Sequence, residues 1–369
     1  MSRLGPPVRH RRAGPLAAAV AAIALVAGAC GSSGSVESAP VPTTARPPSG
    51  TADVLAEPPG PSGTTPDATR GTTATDPDGG QAVPSAPEPP EPTPKTAAAP
   101  FPIGTVELDL VDDTRPTVSR GAPVAPSRSV PTIVAYPTGP GGPWPLVVFA
   151  HGFRLGPPGY TRLIGTLAAA GYVVAAPSFP LADEAVAGSL VDRGDLPNQP
   201  GDVSFVIDQV LVAATDPVSP LTGRVDRTRI GAVGHSDGAD TVLDIGYHPA
   251  RSDARVVAIV ALSPDAVVPA GTRTGATTPL LLAHGDADSI VPYTESVSVF
   301  EAVPSRRYFL TLVGGGHLEP VTEATAWTPV LDATVVAFLD RHLTGAAVAE
   351  DAVTGPGSGS LVARIEVAG

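Results

Sequence analysis

The segment Gly234–Gly238, GHSDG, holds a serine in a spacing that suits covalent catalysis. It matches the pattern G-x-S-x-G and lies between a predicted strand, RIGAVGHS, and a predicted helix, GADTVLDIGY. In this context the two glycines let strand and helix approach closely, and the turn exposes the serine hydroxyl as a nucleophile. Ser236 could instead be an N-cap of the helix. The strand–turn–helix context favours the nucleophile.

A serine hydroxyl needs a base to take its proton. Among the seven histidines, His317 follows a run of three glycines after the last predicted strand and precedes the last predicted helix. A serine, an acid and a histidine in that chain order are expected of the fold that carries this turn. We therefore predict His317 as the general base, the alternative being a loop histidine without a role.

The base needs a carboxylate to fix its tautomer and to stabilise the imidazolium. The segment HGDADSIVP follows the next-to-last of these strands and offers Asp286 and Asp288. We predict Asp288, because Asp286 lies nearer the strand end and could cap or brace the loop. Asp265, after the preceding strand, is a third option.

Acyl transfer also needs hydrogen-bond donors that point at the developing oxyanion. The backbone N–H of Asp237, directly after the nucleophile, is predicted as one donor. The backbone N–H of Phe153, at the end of VVFAHGF where the loop after the strand begins, is predicted as the other. His151 is expected to support that loop rather than take part in the chemistry. No metal ion and no cofactor is expected.

Strands and helices alternate along the chain from about Phe101. Apolar or alternating runs predict strands over 105–111, 129–137, 145–152, 172–177, 229–236, 255–264, 279–286 and 308–316. Helices are predicted over about 159–170, 202–214, 238–247 and 330–343. This order predicts an α/β fold with a mostly parallel sheet covered by helices on both faces. The domain is predicted to span 101–343. The sequence leaves open whether the tail, 344–369, forms a final edge strand.

The first hundred residues differ in composition from the rest. Four arginines, a short apolar run and the sequence LVAGAC predict a signal peptide over 1–29, and small residues before Cys30 resemble a bacterial lipobox. We predict a lipid anchor on Cys30 and a cell-membrane lipoprotein of a bacterium, or otherwise a secreted protein. Residues 30–100 are rich in Pro, Thr, Ser and Gly, which predicts a disordered linker.

The net charge and the single cysteine limit the kinds of partner and cross-link that the chain is expected to have. The net charge of −13 disfavours nucleic acid and anionic membrane surfaces. Such a charge is also a common solubility feature. Cys30 is the single cysteine, so the folded part contains no disulfide. We expect a monomer that meets the membrane only through its anchor.

Five segments together resemble the α/β-hydrolase superfamily. They are FAHGF (149–153), QPGDVSFVIDQV (199–210), GHSDGA (234–239), HGDADSIVP (284–292) and GGGHLEP (314–320). More narrowly, the chain is similar to dienelactone hydrolase-like, chlorophyllase-like and cutinase-like serine esterases, including polyester hydrolases and the platelet-activating-factor acetylhydrolase type. The resemblance implies a serine hydrolase acting on esters.

The departures from these relatives bear on the substrate. Dienelactone hydrolase itself has a cysteine nucleophile, and polyester hydrolases usually have a tryptophan where this chain has Asp265 and a C-terminal disulfide that it lacks. Too few residues separate Pro264 from Pro279 for a large cap domain. Only residues 177–201 could form a wall, so we expect an open site.

Three functions fit these patterns. The favoured hypothesis is an extracytoplasmic serine hydrolase that cleaves a carboxylic ester through an acyl-enzyme intermediate, with a lipid-derived ester as one candidate substrate. An acyltransferase could use the same three residues, with an alcohol of the cell envelope replacing water. A catalytically inert surface-binding protein on the same scaffold is less favoured, because all three catalytic positions are filled.

Overall fold

The structure is a computed structural model that describes residues 10–11, 100–265, 277–344 and 347–369. Cys30 and the predicted linker up to residue 99 lie outside the described residues, as does the predicted signal peptide except for His10 and Arg11. None of the helices in the described ranges is long and apolar enough to cross a membrane.

A sheet of ten strands forms the centre of the described structure. Its strands, in spatial order, are β1 (His10–Arg11), β2 (Ile103–Leu108), β7 (Thr132–Pro137), β9 (Val173–Pro177), β8 (Trp144–Ala150), β10 (Val225–His235), β11 (Val256–Leu262), β12 (Leu280–Gly285), β13 (Arg307–Leu312) and β14 (Ala363–Ala368). The six strands from β9 to β13 in this order are parallel. The remaining strands pair antiparallel at the two sides. The sheet is therefore mostly parallel, as the sequence predicts.

Helices cover both faces of this sheet. They are α1 (Thr161–Ala169), α2 (Glu184–Ala187), α3 (Gln199–Ala213), α4 (Asp237–Tyr247), α5 (Tyr293–Ala302), α6 (Glu319–Thr322), α7 (Thr328–Leu343) and α8 (Glu350–Thr354). Buried side chains of α3, α4 and α5 belong to one apolar core. Those of α1, α6, α7 and α8 belong to the core on the other face. This is the α/β-hydrolase architecture, and the fold prediction is confirmed.

The burial pattern of β8 explains why its residues form a central strand. Successive side chains of a strand point to opposite faces. Leu146 and Val148 accordingly lie in one core, whereas Val147 and Phe149 lie in the other. All four are fully buried. A continuous apolar run is thus the pattern of a strand with a core on each face.

Two small hairpins and a helical wall lie beside the main sheet. The hairpins are formed by β3 (Val111–Asp112) with β6 (Arg128–Ser129), and by β4 (Thr117–Ser119) with β5 (Ala122–Ala125). The wall consists of α2 and the 3-10 helices Gly188–Leu190 and Arg193–Asn198. A further 3-10 helix, Pro157–Tyr160, precedes α1.

A buried ion cluster joins the hairpins to the wall. The Arg128 side chain is 1% exposed and donates to both carboxylate oxygens of Asp195 and to both of Asp202. Arg115 adds a second guanidinium, which donates to Asp202 and Asp112. Burial by itself lowers the pKa of Arg128, but the hydrogen bonds and charges of Asp202 and Asp195 raise it above its ordinary value. The cluster fixes Asp195, and with it the 3-10 helix that faces the site.

Candidate active site

The predicted catalytic residues meet at one edge of the parallel sheet. Ser236 follows β10, Asp288 lies in the loop after β12, and His317 lies in the loop after β13. Phe153 follows β8 and Asp265 follows β11. All five therefore lie at the carboxyl ends of the strands, where open α/β sheets bind their ligands.

Ser236 occupies a tight turn between β10 and α4. Its backbone has a φ of 56° and a ψ of −126°, and its side chain makes no N-cap hydrogen bond. A Cβ atom on Gly234 would lie 2.0 Å from the carbonyl oxygen of Gly238, and one on Gly238 would lie 2.1 Å from that of Ala150. Both positions thus require glycine. The geometry is that of a nucleophile elbow rather than of a helix cap.

A chain of hydrogen bonds joins the serine, the histidine and Asp288. His317 Nδ1 lies 2.6 Å from Asp288 Oδ2, and His317 Nε2 lies 3.0 Å from Ser236 Oγ. Because an ionised carboxylate can only accept, Nδ1 carries the proton and Nε2 accepts from the serine hydroxyl. This tautomer lets His317 act as a general base toward Ser236.

Four donors surround the Asp288 carboxylate, whose side chain is completely buried. Its Oδ1 accepts from the backbone N–H groups of Ile290 and Val291, at 2.8 and 2.9 Å. Its Oδ2 accepts from His317 and from Nε2 of His284, the latter at 3.1 Å. Burial raises the pKa of Asp288, but these donors outweigh burial and hold the pKa below its ordinary value. Asp288 therefore stays ionised and keeps its orientation.

His284 is a supporting residue whose role the sequence did not indicate. Its Nδ1 lies 2.7 Å from Ser296 Oγ on α5. Nε2 donates to the Asp288 carboxylate, and in the neutral imidazole Nδ1 accepts from the serine hydroxyl. Burial lowers the pKa of His284 despite the nearby charge of Asp288. In the sequence, the place of His284 directly before the GDAD segment shows that it lies near the candidate acid. Nothing in the sequence shows that it contacts Ser296.

The two other candidate acids lie away from the histidine. Asp286 accepts from the backbone N–H of Gly314 at 2.6 Å and from Arg364 at 3.2 Å. It therefore braces the loop before His317 against β14. Asp265 pairs with Arg193 on the wall. Of the three acids weighed, the structure brings Asp288 alone to His317.

The two predicted oxyanion donors face the same pocket. Phe153 and Asp237 both line it, together with Ser236 and His317. Asp237 is the first residue of α4, so its N–H has no acceptor within the helix. Two backbone N–H groups at this place can stabilise negative charge on a carbonyl oxygen bonded to Ser236.

A buried hydrogen-bond chain links the loop before Phe153 to the backbone of His317. The N–H of Gly152 donates to Tyr160 Oη at 3.0 Å, and the tyrosine hydroxyl lies 2.9 Å from His235 Nδ1. His235 Nε2 lies 2.9 Å from the carbonyl oxygen of His317. A carbonyl only accepts, so Nε2 carries the proton and Nδ1 accepts from the Tyr160 hydroxyl. No local sequence pattern indicates this chain, because Tyr160 is 75 residues from its partner His235.

The histidine of this chain is neutral. Burial, together with the nearby His317, lowers the pKa of His235 to about 3. The ring centroids of the two histidines are 4.7 Å apart. A neutral His235 adds no positive charge to oppose protonation of His317. Tyr160 and His235 therefore hold the oxyanion loop and the base in one arrangement without competing for the proton.

His151 supports the oxyanion loop from the other side. Its Nδ1 lies 2.9 Å from the carbonyl oxygen of Gly152, and its Nε2 accepts from the backbone N–H of Phe179 at 3.0 Å. The side chain is fully buried, and burial lowers its pKa. It contacts none of Ser236, Asp288 or His317 by hydrogen bond in the described structure.

The pocket above Ser236 has a volume of about 390 Å³. Its apolar lining comes from Phe153, Leu155, Ile290, Val291 and Leu318. Ile290 is 64% exposed and Leu318 is 37% exposed, so the apolar rim faces solvent. Its polar lining includes Arg193 from the wall, Asp237 at the start of α4 and Asp265 after β11. No group of three or more metal-ligating side chains occurs within the described ranges.

Comparisons with known proteins agree with this architecture. The sequence profile of the family described as Chlorophyllase matches residues 100–290, a range that contains Ser236 and Asp288. A solved ferulic acid esterase from Streptomyces cinnamoneus is similar with a TM-score of 0.54 and 25% identity, over 68% of this chain and 93% of that one. No curated protein matches the chain. Family and structural neighbour together point to a carboxylic ester hydrolase.

Exchange of single carboxylates tests the assignment of the acid. We expect Asp288→Asn to lower kcat for a nitrophenyl ester by roughly 10²- to 10⁴-fold, because the amide favours the wrong tautomer of His317. Asp286→Asn keeps an acceptor for the N–H of Gly314, so the loop before His317 should shift only slightly. We therefore expect kcat to fall less than about 5-fold. Thermal unfolding of both variants controls for folding. Equal losses, or a larger loss at Asp286, would contradict the assignment.

Removal of one hydroxyl tests the buried chain. We expect Tyr160→Phe to lower kcat roughly 10- to 100-fold with little change in KM, because Gly152 N–H loses its acceptor and His235 loses its fixed tautomer. Tyr172→Phe is the matched control, since that fully buried tyrosine donates to Asp340 at 2.6 Å away from the site. Both variants should lose about 1–3 kcal/mol of unfolding free energy. If the two variants had the same kcat, the Tyr160 hydroxyl would have no role in positioning.

Proposed function

Because the chain belongs to the chlorophyllase family and is a carboxylic ester hydrolase, we propose that it cleaves its substrate through a covalent acyl-enzyme intermediate on Ser236. The observation that supports this mechanism is the continuous hydrogen-bond chain from Asp288 through His317 to Ser236. Each link has the direction that proton transfer from the serine hydroxyl requires.

In the first half of the proposed reaction, Ser236 Oγ attacks the ester carbonyl carbon while its proton passes to His317 Nε2. The carbonyl oxygen becomes an oxyanion, which the N–H groups of Phe153 and Asp237 stabilise. Asp288 stabilises the imidazolium that forms. When the tetrahedral intermediate collapses, the bond to the alcohol oxygen breaks and that oxygen takes the proton from His317. The acyl group stays on the serine.

In the second half, water replaces the departed alcohol. His317 Nε2 takes one proton of the water as its oxygen attacks the acyl carbon, and a second oxyanion forms in the same donor pair. Collapse breaks the bond to Ser236 Oγ, which takes the proton back. The products are a carboxylic acid and the free enzyme.

The shape and lining of the pocket support an ester with an apolar acyl or aryl group. Phe153, Leu155, Ile290 and Leu318 offer apolar contacts directly beside the nucleophile. Burial of such a group gains about 25 cal/mol for each Å² removed from water. The exposed position of Ile290 leaves room for a substrate that extends out of the pocket. We therefore propose accessible esters of apolar acids, including aromatic acids and lipid-derived acyl groups.

Hydrolysis is favoured over acyl transfer by the same exposure. An acyl-enzyme in a pocket whose rim faces solvent is open to bulk water, whereas a closed site would protect the acyl-enzyme from hydrolysis and so favour transfer to another alcohol. An inert binding protein is disfavoured because Ser236, Asp288 and His317 are assembled and correctly bonded.

A probe and an ester panel test the proposal. We expect the wild-type protein to be labelled by a fluorophosphonate at Ser236 and to hydrolyse nitrophenyl esters from C2 to C16, or methyl ferulate. Ser236→Ala should abolish labelling and lower kcat by several orders of magnitude, because the nucleophile and its base act as a unit. Ser263→Ala, a buried serine after the neighbouring strand, is the control. A wild-type protein that neither reacts with the probe nor cleaves any ester would contradict the proposal.

We also propose that the enzyme acts outside the cytoplasm, held to a bacterial membrane by lipid on Cys30. The sequence LVAGAC and the arginine-rich start support export, and the Pro-rich segment that follows suits an extended stalk. A single acyl chain binds membranes only weakly, so stable attachment would need the two or three chains of a bacterial lipoprotein.

Expression in a bacterial host with labelled fatty acid tests the anchor. We expect the wild-type protein to carry the label and to partition into detergent, because a lipidated Cys30 inserts acyl chains in the bilayer. Cys30→Ser should remove the label and release the protein from the membrane or block its processing. Ser32→Ala is the matched control and should behave as the wild type. A wild-type protein without label would mean that the chain is not a lipoprotein.

A further inference from the structure

The carboxylate of Asp237 lies at an unfavourable place for the proposed reaction. Asp237 directly follows the nucleophile, and its own N–H is one of the predicted oxyanion donors. Its side chain is only 3% exposed, so water screens its charge poorly. An unpaired negative charge here would oppose the oxyanion that the donors stabilise. A neutral side chain at this position would avoid the conflict.

Arg193 on the wall supplies the opposite charge. Its Nε lies 2.9 and 3.0 Å from the two carboxylate oxygens of Asp237, and its Nη2 lies 2.6 Å from Asp237 Oδ1. Nη2 also donates to Asp265 at 2.5 Å. The hydrogen bonds to Asp237 have the largest effect on the pKa of Arg193. Together with the contact to Asp265 they outweigh burial and raise this pKa above its ordinary value. The guanidinium is thus a permanent cation held against the elbow.

On the basis of the function proposed above, we propose that Arg193 is a positioning residue that acts through Asp237. Three of its hydrogen bonds go to the buried Asp237 carboxylate and one to Asp265, so its positive charge offsets the negative charge nearest the oxyanion hole. It also ties the wall to the first turn of α4, which carries the oxyanion donor. The wall is in this way part of the catalytic arrangement as well as a boundary of the pocket.

Two observations separate this role from that of an ordinary surface ion pair. Asp237 is buried, whereas the partners of a typical surface pair are both exposed, as in Arg154 with Glu184, at 57% and 50%. Arg193 also lines the pocket together with Ser236, and Arg154 does not. Removal of the partner of a buried charge leaves that charge uncompensated. Removal of one partner of an exposed ion pair has little effect on stability, because water screens the remaining charge.

The expected effect on the rate follows from charge alone. Arg193→Ala should lower kcat roughly 10- to 100-fold, the size of one unit charge acting over several ångströms at an effective dielectric constant of about 20. KM should change less, because the oxyanion exists only in the transition state. Affinity for a trifluoromethyl ketone, which forms an oxyanion on Ser236, should fall in parallel with kcat.

A double-mutant cycle with Asp237→Asn is the test. The amide keeps the backbone donor and the shape of the side chain but removes the charge. In the Asp237→Asn background, Arg193→Ala should therefore lower kcat and ketone affinity less than about 3-fold. Arg193→Lys keeps the cation and should retain most of the rate of the wild type. Arg229→Ala, which removes an arginine of similar exposure that pairs with Asp226 outside the pocket, is the matched control and should leave kcat unchanged.

The outcomes distinguish this inference from the function on which it rests. A loss caused by Arg193→Ala that is the same with Asp and with Asn at position 237 would overturn the inference, and so would the absence of any loss. A wild-type protein without esterase activity would overturn both the function and the inference. Arg193→Gln, which is closer in length to arginine, takes the place of the alanine variant in the cycle if that variant does not fold.

Discussion

A φ of 56° at Ser236 places a non-glycine residue in a backbone region that costs about 1–3 kcal/mol, and the surrounding segments must hold it there. They do so by close approach of backbone to backbone. Gly234 touches Gly238, Gly238 touches Ala150 at the end of β8, and the N–H of Ser236 donates to Leu262 at the end of β11. Three adjacent parallel strands thus fix one residue. The positions of the oxyanion loop and of α4 follow from that contact.

Around this strained turn, buried neutral imidazoles hold the loops. His151, His235 and His284 each have one ring nitrogen that donates and one that accepts, and burial lowers the pKa of all three. Their protons are therefore fixed on defined ring nitrogens. Neutral imidazoles at these positions avoid the repulsion that several cations would cause within a small volume. Histidine suits these positions because it can donate and accept in one rigid plane.

The sequence predicted the fold and the three residues that the structure brings together, because both depend on local patterns. Apolar runs mark buried strands, and GHSDG has meaning only between a strand and a helix. The supporting contacts could not be predicted, since Tyr160 and His235, or His284 and Ser296, meet through the arrangement of distant elements. The short hairpins and α5 were also missed, because short strands and weakly periodic helices leave little signal. The tail's edge strand, left open by the sequence, forms beside β13.

The buried cluster of Arg128, Asp195 and Asp202 explains how the wall, which is not part of the main sheet, is held where it lines the site. Buried ion pairs often stabilise a fold no more than apolar residues would, because the charges lose their hydration. Paired guanidinium and carboxylate planes, however, accept only one relative orientation. Arg128 therefore sets the rotation of the 3-10 helix that contains Asp195, and Arg193 is the first residue of that helix. An apolar contact could hold the wall at the same distance but would not direct this guanidinium toward Asp237.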